Sequence, residues 1–236
     1  MSSSSSPETS RRPSVVLLVA AGALVVVVVV LVVVFGVVRP PAVVALADDP
    51  RPAPPGGVAW TAWSRDGSCL AVAWPDGRVE EELFCERDGG EVVAWTDDGV
   101  VMQTWRGAGA ELVTVDPVDG AVVDWSSVEP ERDGPFPVGG LVEAVRTERR
   151  DGRVVVTHER DRDQVVWEVQ APDAYDITSG ARSPDGGWFA LVDSAERLLV
   201  VPADGSRAPR LWADGVPRWS TIVWRGTEVE LGDARG

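Results

Sequence analysis

Residue types that commonly carry catalysis or metal binding are scarce in this chain of 236 residues. It has no Lys and no Asn, one Tyr, one His and two Cys. A single histidine excludes a His-rich metal site, and a His-based triad would depend on His158 alone. There is no G-x-S-x-G, no H-E-x-x-H and no phosphate-binding glycine loop. The sequence therefore predicts no catalytic residue, no metal site and no cofactor.

Positive charge is also scarce. Beyond residue 46 the chain has 19 Arg against 36 acidic residues, which gives this region a formal charge of about −17. Nucleic-acid affinity comes mainly from cations that neutralise phosphates, so nucleic acid is excluded as a partner. The acidic surface has two interpretations, solubility or the attraction of cationic ligands and divalent ions.

One long apolar run stands apart from the rest of the chain. Residues 14–38, SVVLLVAAGALVVVVVVLVVVFGVV, contain no charge and are long enough, at ~1.5 Å per residue, to span ~30 Å of hydrocarbon. The run predicts a single transmembrane helix that anchors the chain in a cell membrane. The alternative is a signal peptide cleaved near Ala47, although signal peptides usually have apolar regions of only ~7 to 15 residues.

Two polar segments flank this run. Residues 1–13 are Ser-rich and predict a short disordered cytoplasmic tail. Residues 39–57, RPPAVVALADDPRPAPPGG, predict an extended Pro-rich stalk. The cations on either side of the apolar run are balanced, so they do not decide the orientation in the membrane.

Residues 58–232 have the pattern of an all-β domain. Short runs rich in Val, Trp, Leu and Thr alternate with turns that contain Asp-Gly. Asp hydrogen-bonds its own backbone and Gly supplies the positive φ, so each turn predicts a hairpin between antiparallel strands. The turns are Ser64–Gly67, Pro75–Gly77, Thr96–Gly99, Pro117–Gly120, Arg149–Gly152, Ser183–Gly186 and Pro202–Gly205.

Grouped in fours, the predicted strands form repeats. WSRDG and WTDDG lie 32 positions apart, and an insertion-like loop at Glu129–Gly140 lengthens the second unit. Repeats of ~40 residues with four strands each predict propeller blades. The hypothesised units are residues 58–90, 91–136, 137–177 and 178–215, with a partial unit at 218–231.

The fourth unit, Ser183–Trp212, resembles the repeat of the TolB-like β-propeller family, which is related to WD-repeat propellers. The matching positions are the S-P-D-G turn, two apolar strands, the second D-G turn and the closing leucine: Ser183–Gly186, Trp188–Val192, Leu198–Val201, Asp204, Gly205 and Leu211. The resemblance implies a blade fold across residues 58–231. It also implies a binding or scaffold module for a protein or cell-envelope component. About four to five blades fit, as a complete ring, an incomplete ring or a sandwich-like arrangement.

The only two cysteines, Cys69 and Cys85, flank the turn at Pro75–Gly77. If Asp76, Gly77 and Arg78 form a three-residue loop, Cys69 lies directly opposite Cys85, at a Cβ spacing near that of a disulfide. A two-residue loop would oppose Cys69 with Phe84, and two buried thiols are the other interpretation. A disulfide would indicate an oxidising compartment, and therefore an extracytoplasmic domain.

Tryptophan is unusually abundant, with 11 residues. Most are predicted to pack between blades, and a subset exposed on one rim would bind a glycan or an aromatic-anchored partner. The sequence thus predicts a membrane-anchored, extracytoplasmic binding module. The alternatives are a cell-envelope hydrolase, whose two carboxyls no linear pattern reveals, and a structural accessory subunit of a membrane complex. The oligomeric state is left open.

Overall fold

The computed structural model describes residues 40–49, 51–65, 67–106, 109–128, 145–158, 163–171 and 173–227. All of them belong to the unit formed by Pro40–Gly236. Their strands are β1 (Val44–Ala45), β2 (Val58–Ser64), β3 (Gly67–Ala73), β4 (Val79–Glu80), β5 (Cys85–Glu86), β6 (Gly90–Trp95), β7 (Val100–Arg106), β8 (Gly109–Val115), β9 (Val122–Val128), β10 (Val145–Arg150), β11 (Arg153–His158), β12 (Val165–Gln170), β13 (Ile177–Arg182), β14 (Trp188–Asp193), β15 (Arg197–Pro202), β16 (Arg210–Asp214) and β17 (Ile222–Trp224).

The predicted fold class, which joined a transmembrane helix to a propeller-like domain, is wrong as stated. In the part of the chain that the structure describes, the fold is all-β and the single helical element is a 3-10 turn at Leu46–Asp48. No helix there has the length and apolar character needed to cross a membrane. The predicted helix at residues 14–38 lies outside the described residues.

The described strands form four sheets, which mostly follow chain order. Sheet 2 is β6-β7-β8-β9, sheet 3 is β10-β11-β12, and sheet 4 is β13-β14-β15-β16 with β1 added in parallel at its edge. These sheets correspond to the second, third and fourth hypothesised repeats. In sheet 4 the strands and turns that carry the TolB-like resemblance lie where the resemblance implied them.

Sheet 1 combines strands from residues 58–86 with a strand from residues 222–224. Its order is β17-β2-β3-β4, with β5 also paired to β3, so the innermost strand comes from residues 222–224. Strand β17 pairs antiparallel with β2, and its three side chains are buried. Strand β17, which lies within the predicted partial repeat at residues 218–231, therefore supplies the innermost strand of the sheet formed by the first hypothesised unit.

Sheets 4, 1 and 2 are arranged as successive propeller blades are. Ser179 Oγ donates to Ser220 O (2.7 Å) and Trp224 Nε1 donates to Ala181 O (3.1 Å), so β13 and β17 run in parallel. On the other side, Thr61 Oγ1 accepts from Val92 N (2.9 Å) and a Cβ placed on Gly57 would lie 2.7 Å from the Trp95 ring, so β6 runs antiparallel to β2 and hence parallel to β17. The three innermost strands thus share one direction, as a propeller requires.

Sheet 3 departs from this arrangement. Thr147 Oγ1 donates to Ile177 O (3.3 Å) and Arg149 Nη2 donates to Tyr175 O (2.6 Å), so β10 lies antiparallel to β13. Between sheets 2 and 3, β6 and β10 do not pack side by side as β13 and β17 do. Within the described ranges, the packing runs from sheet 3 through sheets 4 and 1 to sheet 2 and does not close a ring.

The hydrophobic core lies in the three interfaces between these sheets. Between sheets 4 and 1 it centres on Trp60, Trp212 and Trp224, and between sheets 1 and 2 on Leu70 and Trp95. A third cluster, with Phe189 and Tyr175, fills the interface between sheets 3 and 4. Each buried strand therefore contributes alternate side chains to two interfaces, which explains its nearly continuous apolar sequence.

Part of the segment predicted as a stalk, residues 39–57, packs on sheet 4. Val44 and Ala45 pair with Arg210 and Leu211 of β16, and the Leu46 side chain is buried in the core between sheets 4 and 1. Arg197 Nη1 also donates to Pro41 O (2.8 Å). The structure therefore places residues 41–46 against the domain instead of in an extended chain that stands clear of it.

Candidate binding surface

Cys69 and Cys85 form the predicted disulfide. They are directly opposed in β3 and β5, but the hairpin that opposes them differs from the predicted one. The loop is Pro75–Gly77, closed by Trp74 N donating to Arg78 O (2.8 Å). That register would place Cys69 out of line with Cys85. An irregular stretch through Glu82, whose φ is +56°, shifts the pairing and restores the opposition.

Most tryptophans pack in the core, as predicted. Eight of the 11 are buried or half-buried, and the remaining three are exposed: Trp63 (64 %), Trp105 (37 %) and Trp219 (76 %). A tryptophan is a costly residue to leave in water, because its apolar area is large. These three side chains are therefore the main candidates for contact with another molecule.

The three exposed tryptophans lie at one end of sheets 1 and 2. Trp63 and Trp105 lie at or next to the last residues of β2 and β7, and Trp219 lies in the connection that enters β17. Trp63 opposes Ser68 across the β2 and β3 pair. A Cβ placed on Gly89 would lie 3.2 Å from the Trp105 ring and 3.9 Å from Ser68 Oγ. Trp63 and Trp105 are thus separated by little more than Ser68 and Gly89. We name this area the tryptophan end.

The backbone holds Trp219 outward in an unfavourable conformation. Its φ is +66°, which for a large side chain costs on the order of 1–3 kcal/mol. Ser220 fixes this conformation, because its Oγ donates to Pro217 O (2.7 Å) and lies 3.2 Å from Thr61 O. This backbone conformation therefore lowers the stability of the domain, and the exposed Trp219 side chain offsets little of that cost by burial.

Arginines accompany each exposed tryptophan in sequence. The pairs are Trp63 with Arg65, Trp105 with Arg106, and Trp219 with Arg218. Arg65 and Arg218 are exposed, and Arg218 makes a long ion pair with Glu196 (4.0 Å). Tryptophan and arginine are the residue types most enriched at the energetic centres of protein interfaces. The sequence predicted an exposed subset but not its members, since Trp224 also precedes an arginine and is fully buried.

A cleft of about 350 Å³ lies at the opposite end of the same two sheets. Trp74 and Trp95, at an edge-to-face distance of 5.5 Å, form its base, and the Arg78 guanidinium lies 5.2 Å over the Trp74 ring. The remaining lining residues come from two turns and from the residue that follows β17: Thr96, Asp97, Asp98, Gly99, Asp116, Pro117, Val118 and Arg225. We name this cavity the turn cleft.

His158, on which a His-based triad would depend, is the last residue of β11 in sheet 3. In the part of the chain that the structure describes, no three His, Cys, Asp or Glu residues group closely enough to hold a metal ion.

A buried ion pair stabilises the turn between β14 and β15. The Asp193 carboxylate is fully buried, accepts from the backbone N–H groups of Ala195 (2.9 Å) and Arg197 (3.0 Å), and pairs with the Arg197 guanidinium (2.7 Å). Burial, with Asp193 nearby, raises the pKa of Tyr175 above its ordinary value. These groups lie inside sheet 4 and its interface with sheet 3, so they serve the fold.

The strand order and direction of sheets 4, 1 and 2 define an all-β, propeller-like protein. Similar solved structures include TolB from Acinetobacter baumannii (14 % identity, TM-score 0.27, 66 % of this chain and 41 % of that one). Another is the Dos1 propeller (12 % identity, TM-score 0.24, 67 % of this chain and 42 % of that one). This chain thus spans about two fifths of either. No family model matches it, and no curated protein is similar to it. At these TM-scores, the description as propeller-like rests on the strands themselves.

Proposed function

We propose that this protein is a binding module that docks a partner protein at the tryptophan end. The observation that carries the proposal is the exposure of Trp63, Trp105 and Trp219 at one end of sheets 1 and 2. The other eight tryptophans are buried or half-buried, so exposure is not a general property of this residue type in the domain.

The chemistry of this end suits a protein partner. Indole rings give large rigid contact areas at a low cost in side-chain entropy, and arginine adds hydrogen bonds around them. Truncation of a residue at the centre of such an interface typically costs about 2 kcal/mol or more, which corresponds to about 30-fold in affinity. The unfavourable backbone at Trp219 fits a residue kept for contact and not for stability.

We also propose that the domain works in an oxidising, extracytoplasmic compartment. The support is the Cys69–Cys85 disulfide, since such bonds persist outside the reducing cytosol. Cys85 is exposed, so it becomes reactive once the bond is reduced. In intact cells we expect a membrane-impermeant maleimide to label the protein only after mild reduction. Labelling that requires cell lysis but no reductant would contradict the proposed compartment.

The docking proposal is tested with a photo-crosslinking amino acid placed at Arg218, next to Trp219, in the full chain within its native cells. We expect one discrete protein adduct. The same substitution at Val123, which is 56 % exposed but lies on the outer strand β9, is the matched control and should give no such adduct.

Trp219→Gly separates binding from folding. Glycine adopts a φ of +66° without strain, so this variant should unfold at a temperature no lower than the parent chain, while the Arg218 adduct falls at least about 10-fold. A Trp219→Gly variant that keeps the adduct, or an adduct formed equally from Val123, would overturn the proposal.

A further inference from the structure

The turn cleft has the chemistry of a second and separate binding site. It lies at the start of β7, whereas the tryptophan end lies at the finish of that strand, so the two are at opposite ends of sheet 2. Its volume of about 350 Å³ falls at the lower end of the range found for small-molecule pockets. The two sites can therefore be occupied and tested independently.

The charges of the cleft nearly balance, so they give no strong preference for an anion or for a cation. Three carboxylates line it, Asp97, Asp98 and Asp116, together with the guanidinium groups of Arg78 and Arg225. An anion would meet the three carboxylates, and a cation would meet the two guanidinium groups. The carboxylates also do not group as metal ligands do within the described ranges. A neutral ligand avoids both repulsions.

Hydrogen bonding narrows the ligand further. A carboxylate only accepts hydrogen bonds and a guanidinium only donates them, so a ligand that satisfies both needs groups that do each. Hydroxyl groups donate and accept at once. The Arg78 guanidinium lies over the Trp74 ring, 5.2 Å from its centroid, and the two planar groups together form one wall of the cleft beside these polar groups.

We propose that the turn cleft binds a neutral, polyhydroxylated ring of the size of one or two sugar units. The C–H face of the ring lies against the wall of Trp74 and Arg78, and the hydroxyl groups bond the carboxylates of Asp97 and Asp98 and the guanidinium of Arg225. This site needs neither Trp63 nor Trp219.

The test is ligand-observed NMR and calorimetry on the full chain, with glucose, N-acetylglucosamine, maltose and cellobiose as probes. Arginine, which is a net cation, and glycine betaine, which is a zwitterion, serve as comparisons that carry charged groups. We expect saturable binding of at least one sugar, with a dissociation constant in the millimolar range or below. Asp98→Asn and Arg225→Gln should each weaken it about 3- to 10-fold.

Asp173→Asn is the matched control, because Asp173 is fully exposed and lies between sheets 3 and 4, away from the cleft. It should leave sugar affinity unchanged. The proposal is overturned if no sugar binds, if a charged comparison binds in preference, or if the two cleft variants behave like the control. Trp219→Gly should not alter sugar affinity, so failure here is distinct from failure of the docking proposal.

Discussion

The carboxylate of Glu91 is partly removed from water by the fold, which disfavours its charged form. It lies half-buried in β6, directly opposite the buried Gln103, and burial raises its pKa because the charged form is disfavoured away from water. At a pH above the folded-state pKa, the carboxylate is ionised in both states and therefore lowers the free energy of unfolding. Below the unfolded-state pKa, both states are protonated and this penalty disappears.

Glu91→Gln should therefore raise the melting temperature at pH 7, by about 1–3 °C, since about 1 kcal/mol shifts it ~2–4 °C in a domain of this size. The gain should shrink as the pH falls from 7 towards 4, because Glu91 becomes increasingly protonated in both states. Glu81→Gln, at an exposed position, is the control and should have no effect. Thermal unfolding by circular dichroism at the two pH values measures both; an equal gain at pH 4 and pH 7 would contradict the burial argument.

At the scale of single residues, the sequence was informative about chemistry and less so about exposure. It predicted the pairing of Cys69 with Cys85 from the position of one turn, although the real hairpin is shifted by one residue and an irregularity at Glu82 compensates. No local pattern marks that irregularity. Likewise, neighbouring residues do not distinguish the exposed Trp219 from the buried Trp224, because exposure depends on which sheets meet at each position.

The element that most needs a test is β1 with its 3-10 turn. Leu46 is 5 % exposed and packs among the buried side chains between sheets 4 and 1, whereas Val44 is 53 % exposed. Leu46→Ala should lower the free energy of unfolding by about 2–4 kcal/mol, and Val44→Ala should change it by less than about 0.5 kcal/mol.

Urea denaturation of both variants measures this difference. Equal midpoints for Leu46→Ala and Val44→Ala would show that the segment does not dock on sheet 4. The result is also relevant to the alternative of cleavage near Ala47. Such cleavage would remove β1 from the edge of sheet 4 and the Leu46 side chain from the core.

The turns were the elements that sequence reasoning placed best, because Asp and Gly have a strong local reason to be there. In Ser183–Gly186, Ser183 Oγ donates to Asp185 Oδ1 (2.5 Å), Gly187 N donates to the same oxygen (3.0 Å), and these bonds lower the pKa of Asp185.

It was harder to predict which strands of a sheet each turn connects. WSRDG joins β2 to β3, the second and third strands of sheet 1, whereas WTDDG joins the first two strands of sheet 2. Their spacing of 32 positions therefore does not relate equivalent turns.

For the whole molecule, hydrophobic pattern predicts how many sheets form but not how they face one another. The four repeats correspond to four sheets, yet β10, the first described strand of sheet 3, lies antiparallel to β13 of sheet 4, and the sequence of residues 145–170 does not indicate this direction. The direction is set by side chains of different sheets that meet at one interface, such as Val154 and Val156 against Leu191. Such contacts join distant parts of the chain, and a local pattern does not encode them.

Sheet 1 has a consequence for how the protein is made. Its outer strands come from residues 58–86, while its innermost strand, β17, is among the last described residues to be synthesised. Until β17 is made, β2 has one edge unpaired, and Trp60 lacks Ile222 and Trp224, its neighbours in the core. A nascent chain that stops before Trp224 exposes this surface. We therefore expect this edge of sheet 1 to stay open to chaperones and proteases until β17, the last of the described strands, has been translated.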